Sequence, residues 1–211
     1  MAKPEGSQPV GIAVVDKAAG MTSHDVVGRA RKVLHTRKVG HSGTLDPGAT
    51  GVLLLGVGPA TRLLRFLTDL PKTYTTEIVL GVETDTLDDS GETTARHDMA
   101  VDPAQVIETA RTLTGDIEQV PPMVSAVKID GRRLHELARE GKEVDRPPRP
   151  VTVHRFDTEP TDDPLVYRAT VECSSGTYVR TLAEGADAGA AQVAQVRSPT
   201  ERRAQVGGQG A

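Results

Sequence analysis

The chain has 211 residues, a net charge of −4, one Cys, two Phe, three Tyr and no Trp. It is long enough for one large domain or two small ones around an aliphatic core. A single cysteine excludes an intramolecular disulfide and a cysteine-rich zinc site, and no apolar run approaches transmembrane length.

Residues 1–8 are polar and are expected to be a flexible tail. No apolar signal segment opens the chain, so a soluble cytoplasmic protein is the default expectation. Gly11 to Val15 is an apolar run that predicts a strand, and Ala18 to Met21 a turn. Thr22 or Ser23 suits an N-cap, because a hydroxyl accepts from the free N–H groups of a first helical turn. Val26, Val27, Ala30, Val33 and Leu34 follow at helical spacing, with Arg29, Arg31 and Lys32 on the opposite face.

The next stretch runs from Val39 to Gly51 and surrounds one carboxylate, Asp46, with glycines, a proline and small polar residues. Arg37 and Lys38 precede it. Such a loop adds little to a core. It holds a carboxylate in a set backbone geometry beside positive charge, as a catalytic group requires. Asp46 is therefore the candidate reactive residue.

Val52 to Val57 predicts a buried strand, and Pro59 a first helical position ahead of an apolar stripe of Ala60, Leu63, Leu64 and Leu67. Tyr74 to Leu80 alternates as a half-buried strand, with Tyr74, Thr76, Ile78 and Leu80 on one side. Residues 83–99 are acidic, but their spacing does not fit a calcium loop. Asp102 and Pro103 predict the start of a helix that ends at Gly115. Ser125 to Ile129 predicts a short strand, with a turn at Asp130-Gly131 and then a short helix closed by Gly141. Val151 to Phe156 and Leu165 to Cys173 predict strands, the second placing Cys173 in the core rather than in a reactive role. A turn at Ser174 to Gly176 leads into a helix. From residue 186 no apolar period is visible, so residues 186–211 are expected to be a disordered tail without a C-terminal RNA-binding domain.

The charge total does not suggest a nucleic-acid partner, yet charge is segregated along the chain. Residues 24–40 carry Arg29, Arg31, Lys32, Arg37 and Lys38 against Asp25, whereas residues 83–118 carry ten acids against Arg96 and Arg111. Only the local field matters to an anionic partner.

Five motifs in this order resemble the TruB family of tRNA pseudouridine synthases. They are Gly11 to Lys17 with Gly20 and Thr22-Ser23; Gly40 to Pro47 with Ala49-Thr50-Gly51; Lys72-Thr73-Tyr74 through Leu80-Gly81 to Thr84 to Asp88; Pro121 to Lys128; and Cys173 to Thr181. The resemblance covers roughly residues 9–185, which would form one catalytic domain. It implies an α+β pseudouridine-synthase fold: a mixed, largely antiparallel sheet with flanking helices and a central RNA-binding cleft. It also implies isomerisation of uridine to pseudouridine in the T-loop of tRNA, at position 55, by a monomer that binds the T-arm and needs no cofactor, metal or membrane.

The same resemblance assigns roles. Asp46 is the ionised catalytic group, and Pro47 holds it away from helical geometry. Arg180 is the cation that pairs with it. Tyr74 stacks on the flipped base, a contact worth about 1–3 kcal/mol. His41 fills the space that the base leaves, with Gly43, Thr44, Leu45 and Tyr178 also in contact with substrate. Lys17, Arg37, Lys38, Lys128, Arg132 and Arg133 are candidate phosphate contacts. Ala18 stands where the family usually has proline, and His135 where tyrosine is common. After Gly185 the family pattern stops: the further helix, turn and strand, with a leucine at the active site, are not found. A truncation or reading-frame change is the expectation there, and with it an alternative function as a non-catalytic tRNA-binding or RNA-folding module. A glycoside hydrolase using Asp46 and Asp85 would need a sugar cleft, and the chain lacks the aromatics for one.

Overall fold

The computed structural model describes residues 8–185 and 194–202, which divide into two compact units. The first comprises residues 8–70 and 200–202, the second residues 71–185 and 194–199.

The first unit starts with strand β1 (Gly11–Lys17) and helix α1 (Ser23–Val33). Thr22 caps α1: its side chain accepts from Asp25 N at 3.1 Å, and the Asp25 carboxylate accepts from Thr22 N at 2.8 Å. The two orphan donors at the helix start are thus satisfied reciprocally. Strands β2 (Val39–His41) and β3 (Thr50–Val57) follow. β3 is antiparallel to β1, with Gly11 opposite Val57 and Lys17 opposite Gly51, and to β2, with His41 opposite Leu55. Leu53, Leu55 and Val57 of β3 are buried, as are Val26 and Val27 of α1, Val39, Leu45 and Ala49.

The expected helix at Pro59 begins as a 3₁₀ turn (Gly58–Leu63) and continues as α2 (Leu64–Thr68). Its predicted stripe is only partly used: Ala60 is buried but Leu63 is exposed. Gly56 sets this approach, since a Cβ there would lie 2.9 Å from Thr61 Cα and 3.0 Å from Leu64 Cγ. β1 also departs from expectation on one face, where Ile12 and Val14 are exposed, Val14 at 70%.

The second unit opens with β4 (Lys72–Leu80), the small hairpin β5 (Val82–Thr84) and β6 (Thr93–Arg96), and helix α3 (Pro103–Thr112). Asp102 caps α3 through Ala104 N at 2.9 Å. Then come β7 (Gly115–Gln119), a two-residue hairpin of β8 (Lys128–Ile129) and β9 (Arg132–Arg133), helix α4 (Leu134–Arg139), the long strand β10 (Arg149–Pro160), β11 (Val166–Cys173) and helix α5 (Val179–Gly185). β4, β11, β10 and β7 pair side by side, all antiparallel. Their alternate residues bury one face: Ile78 and Leu80, Tyr167, Ala169, Val171 and Cys173, Val153 and Phe156 form one core with Val106 and Ala110 of α3 and Val179, Leu182 and Ala183 of α5. Cys173 is a free, buried thiol within it.

A strand β12 (Ala194–Arg202) lies within the stretch expected to be disordered. Thr200 and Glu201 pair in parallel with Thr50 and Gly51 of β3. A ladder of backbone hydrogen bonds needs no apolar period. Residues 1–7, 186–193 and 203–211 of the two expected tails lie outside the described residues.

Candidate active site

Asp46 sits between two buried apolar pegs, Leu45 and Ala49, in the loop between β2 and β3. Its own residue is half-buried. Several described bonds tie the loop down through its backbone. Ser42 N donates to Leu54 O at 3.1 Å, and Ala49 N to Asp46 O at 3.1 Å. The second bond closes a β-turn with Pro47 at its second position, where a fixed φ suits the turn. The Pro47 carbonyl accepts from Gly20 N at 2.9 Å, and Gly20 makes the bend that brings this N–H there with φ +78°. Leu45 N donates to Ser23 Oγ at 3.0 Å.

Lys17, at the end of β1, is 1% exposed. Its ammonium donates to Met21 O at 2.7 Å, Ala18 O at 3.1 Å and Pro47 O at 3.2 Å. Burial lowers its pKa, and the charge of Asp46 opposes that shift. Lys17 is therefore not placed as a phosphate contact: all three of its donors are engaged inside the protein, and it ties the turn before α1 to the loop after Asp46. Such burial is unusual for a lysine. Leu45, expected to contact substrate, is 3% exposed. Its side chain is a buried peg.

His41 ends β2 and is half-buried. Its Nδ1 lies 2.6 Å from Gly43 O, so Nδ1 carries the proton that is donated. Burial lowers its pKa, the Gly43 carbonyl raises it and His24 lowers it again. His24 meets the ring edge-on, with centroids 5.2 Å apart and planes at 79°. Arg37, Lys38 and Thr44 are exposed, and Gly43 is half-buried.

In the second unit, Arg180 on α5 is 4% exposed. Its guanidinium donates to Thr86 O at 3.0 Å and Val124 O at 3.2 Å, and lies 3.4 Å from the carboxylate of Asp88. Asp88 in turn accepts from Thr86 Oγ1 at 2.8 Å, from Ser90 N at 3.0 Å and from Ser90 Oγ. A loop between β5 and β6 thus presents a carboxylate and a carbonyl to the buried cation. The acidic stretch was visible in sequence, but nothing in its spacing singled out Asp88 as this partner. Tyr74 lies on β4 opposite Val171 of β11 and packs against the core. Tyr178 is held through its backbone: its N–H donates to Gln119 Oε1 at 2.8 Å, and its carbonyl accepts from Gln119 Nε2 at 3.0 Å. Gln119 is buried at the end of β7 and is a second residue that sequence reading missed. Lys128 and Arg133 are exposed on the β8–β9 hairpin, where Arg132 pairs with Glu140. The Glu140 carboxyl is held at about 2 by hydrogen bonds from Arg132 and Lys142.

The expected site residues therefore fall in two groups. Lys17, Arg37, Lys38, His41, Gly43, Thr44, Leu45 and Asp46 belong to the first unit, and Tyr74, Lys128, Tyr178 and Arg180 to the second. Among the described residues, no cluster of three or more His, Cys, Asp or Glu side chains is arranged to hold a metal ion, and no helix is long and apolar enough to cross a membrane.

The fold is that of a solved chain in a "Cbf5-Nop10-Gar1 Complex", with TM-score 0.69, 28% identity, and coverage of 92% of this chain and 48% of that one. The family model described as "TruB family pseudouridylate synthase (N terminal domain)" matches residues 31–179. An α+β sheet of this kind thus belongs to the pseudouridylate synthases as a class. Within that class, the chain is a member of the TruB family. It is 55% identical over 177 residues to the tRNA pseudouridine synthase B of Rhodococcus jostii, covering 82% of this chain and 58% of that protein. It is 49% identical over 203 residues to the tRNA pseudouridine synthase B of an Arthrobacter species, covering 93% of this chain and 66% of that protein. The chain thus spans less than two thirds of the length of these relatives.

Proposed function

We propose that this chain isomerises uridine to pseudouridine in the T-loop of tRNA, at position 55, with Asp46 as the reacting carboxylate. The observation that carries the reading is the local geometry of Asp46. Its neighbours on both sides are buried or bonded, while the residue itself remains half-exposed. Relatives at 49–55% identity bearing the name tRNA pseudouridine synthase B support the substrate class.

The reaction cleaves the bond from C1′ of the ribose to N1 of the base, turns the base, and joins C1′ to C5. The C5 proton is lost and N1 gains one, so atoms and electrons balance without an oxidant, a metal or a second substrate. An ionised Asp46 adds to the substrate or assists the cleavage. Lys17 supplies a nearby positive charge that favours the ionised form, and Arg180 is assigned the same service. Tyr74 stacks on the extruded uracil, His41 occupies the space it leaves, and a neutral, hydrogen-bonded ring suits a residue that must enter a base stack. Arg37, Lys38, Lys128, Arg132 and Arg133 contact phosphates, with Gly43, Thr44 and Tyr178 closer to the base. Residues 9–185 act together as the catalytic domain, in a monomer working in the cytoplasm on tRNA alone.

The test is conversion of a T-arm stem-loop by the purified chain. Wild type is expected to form pseudouridine, and Asp46→Asn to fall to the uncatalysed background. A wild-type-like rate from that variant removes Asp46 from its role, and no product from wild type removes the activity.

A further inference from the structure

The turn entering α1 grips the loop of Asp46 from one side, and one of its side chains has no other evident task. Thr22 and Ser23 are adjacent hydroxyl residues at the start of this helix. Thr22 does the capping, accepting from Asp25 N, and is exposed. Ser23 is 1% exposed, and its hydroxyl faces away from its own helix. It accepts from Leu45 N at 3.0 Å and makes a longer contact, at 3.4 Å, to Leu45 O.

Two peptide groups flank the Cα of Asp46. The carbonyl of the second, Asp46 O, is fixed by the local turn through Ala49 N. The carbonyl of the first is Leu45 O, and the side chain that reaches it comes from a different element, more than twenty residues earlier in the chain. A buried hydroxyl that is fully engaged fixes one geometry, whereas an alanine of nearly the same size would leave the Leu45 N–H without this acceptor.

We propose that Ser23 is a positioning residue for Asp46: its buried hydroxyl holds the backbone of Leu45 and so sets the direction in which the Asp46 carboxylate meets the uridine. The proposal rests on the reading of Asp46 as the reacting group.

Three variants of the full chain test it: Ser23→Ala, Ser23→Thr, which keeps the hydroxyl, and Thr22→Ala, which weakens the same helix end without touching the loop. On a T-arm stem-loop, Ser23→Ala is expected to lower kcat by about 10- to 100-fold with KM nearly unchanged, the scale of loss that follows from a misdirected reacting group. Ser23→Thr should recover most of that loss. Thr22→Ala should lose thermal stability and keep its kcat. A second readout needs no turnover: the ¹³C resonance and titration midpoint of the Asp46 carboxyl should move in Ser23→Ala and stay in place in Thr22→Ala. The proposal is overturned if Ser23→Ala and Thr22→Ala have equal kcat, or if the Asp46 carboxyl titrates identically in Ser23→Ala and wild type. If the wild-type chain forms no pseudouridine, the assigned activity falls, and the carboxyl titration alone decides the role of Ser23.

Discussion

Asp46 in the first unit and Arg180 in the second are both expected site residues, and the bonds described for them differ in kind. Around Asp46 the bonds described go to the backbone of its neighbours: Leu45 to Ser23, Pro47 to Gly20 and Lys17, Asp46 O to Ala49. The residue itself stays half-buried. Arg180 is gripped by its side chain, with two carbonyls and a carboxylate against the guanidinium and 4% exposure. The difference fits the roles proposed for the two residues. A reacting group needs a fixed backbone as well as a reachable side chain. A group that supplies a field can be immobilised at its tip, and gains strength from being dry. Substitutions near Asp46 should therefore act through geometry, and substitutions near Arg180 through charge.

The largest expected effect tests the second half of that contrast. Asp88→Ala removes the carboxylate beside a buried guanidinium and the acceptor for Ser90 N and Thr86 Oγ1. A loss of about 3–5 kcal/mol in urea unfolding is expected, the usual result of removing one partner from a buried pair. Asp88→Asn keeps an acceptor but not the charge. If it unfolds like wild type, charge is not what holds Arg180, and the contrast fails.

Next in size is Lys17→Met, which keeps most of the apolar stem and deletes the ammonium bonded to Ala18 O, Met21 O and Pro47 O. About 1–3 kcal/mol of stability should be lost as those carbonyls lose a donor. The salt dependence of T-arm binding should not change, because Lys17 has no donor to offer a phosphate. Lys38→Ala should do the reverse: stability stays near wild type, and the slope of log affinity against log salt falls by about one. A changed slope in Lys17→Met would return Lys17 to the RNA-binding set.

These two lysines show what the sequence made legible. The Asp46 loop was readable because its signal is local: glycines, Pro47 and a lone carboxylate stand within a dozen residues. The amphipathic start of α1, the cap at Asp102 and the alternation of β4 and β11 were readable for the same reason. Features that depend on distant partners were not. Asp88 meets Arg180, and Gln119 meets Tyr178, across long stretches of chain, and composition gives no sign of either pairing. The burial of Lys17 contradicts the habit of its residue type. The short strand β2 carries no period of its own: two of its three residues are Gly40 and His41, and it forms by pairing with β3.

The smallest expected effects compare the two units by their response to acid. In the first unit, burial lowers the pKa of His41 below the ordinary histidine value of 6.5, with His24 adding to the shift and the Gly43 carbonyl opposing it. The unfolded chain then binds the His41 proton more readily than the folded one. Above pH 6.5 the group costs nothing. As pH falls through 6.5 the folded state loses stability, and the loss levels off below the folded pKa. In the second unit, burial raises the pKa of Glu184 above its ordinary 4.5; Arg146 opposes this and Glu83 adds to it. Here the folded chain binds the proton more readily, so the cost is present at neutral pH and disappears as pH falls through the folded pKa towards 4.5. Unfolding free energies from pH 7.5 to 4 should separate the two. His41→Gln should match wild type in slope above pH 6.5 and gain on it below. Glu184→Gln should be more stable than wild type at pH 7 and lose that advantage by pH 4. Parallel curves for all three proteins would mean that neither group is desolvated as the structure describes.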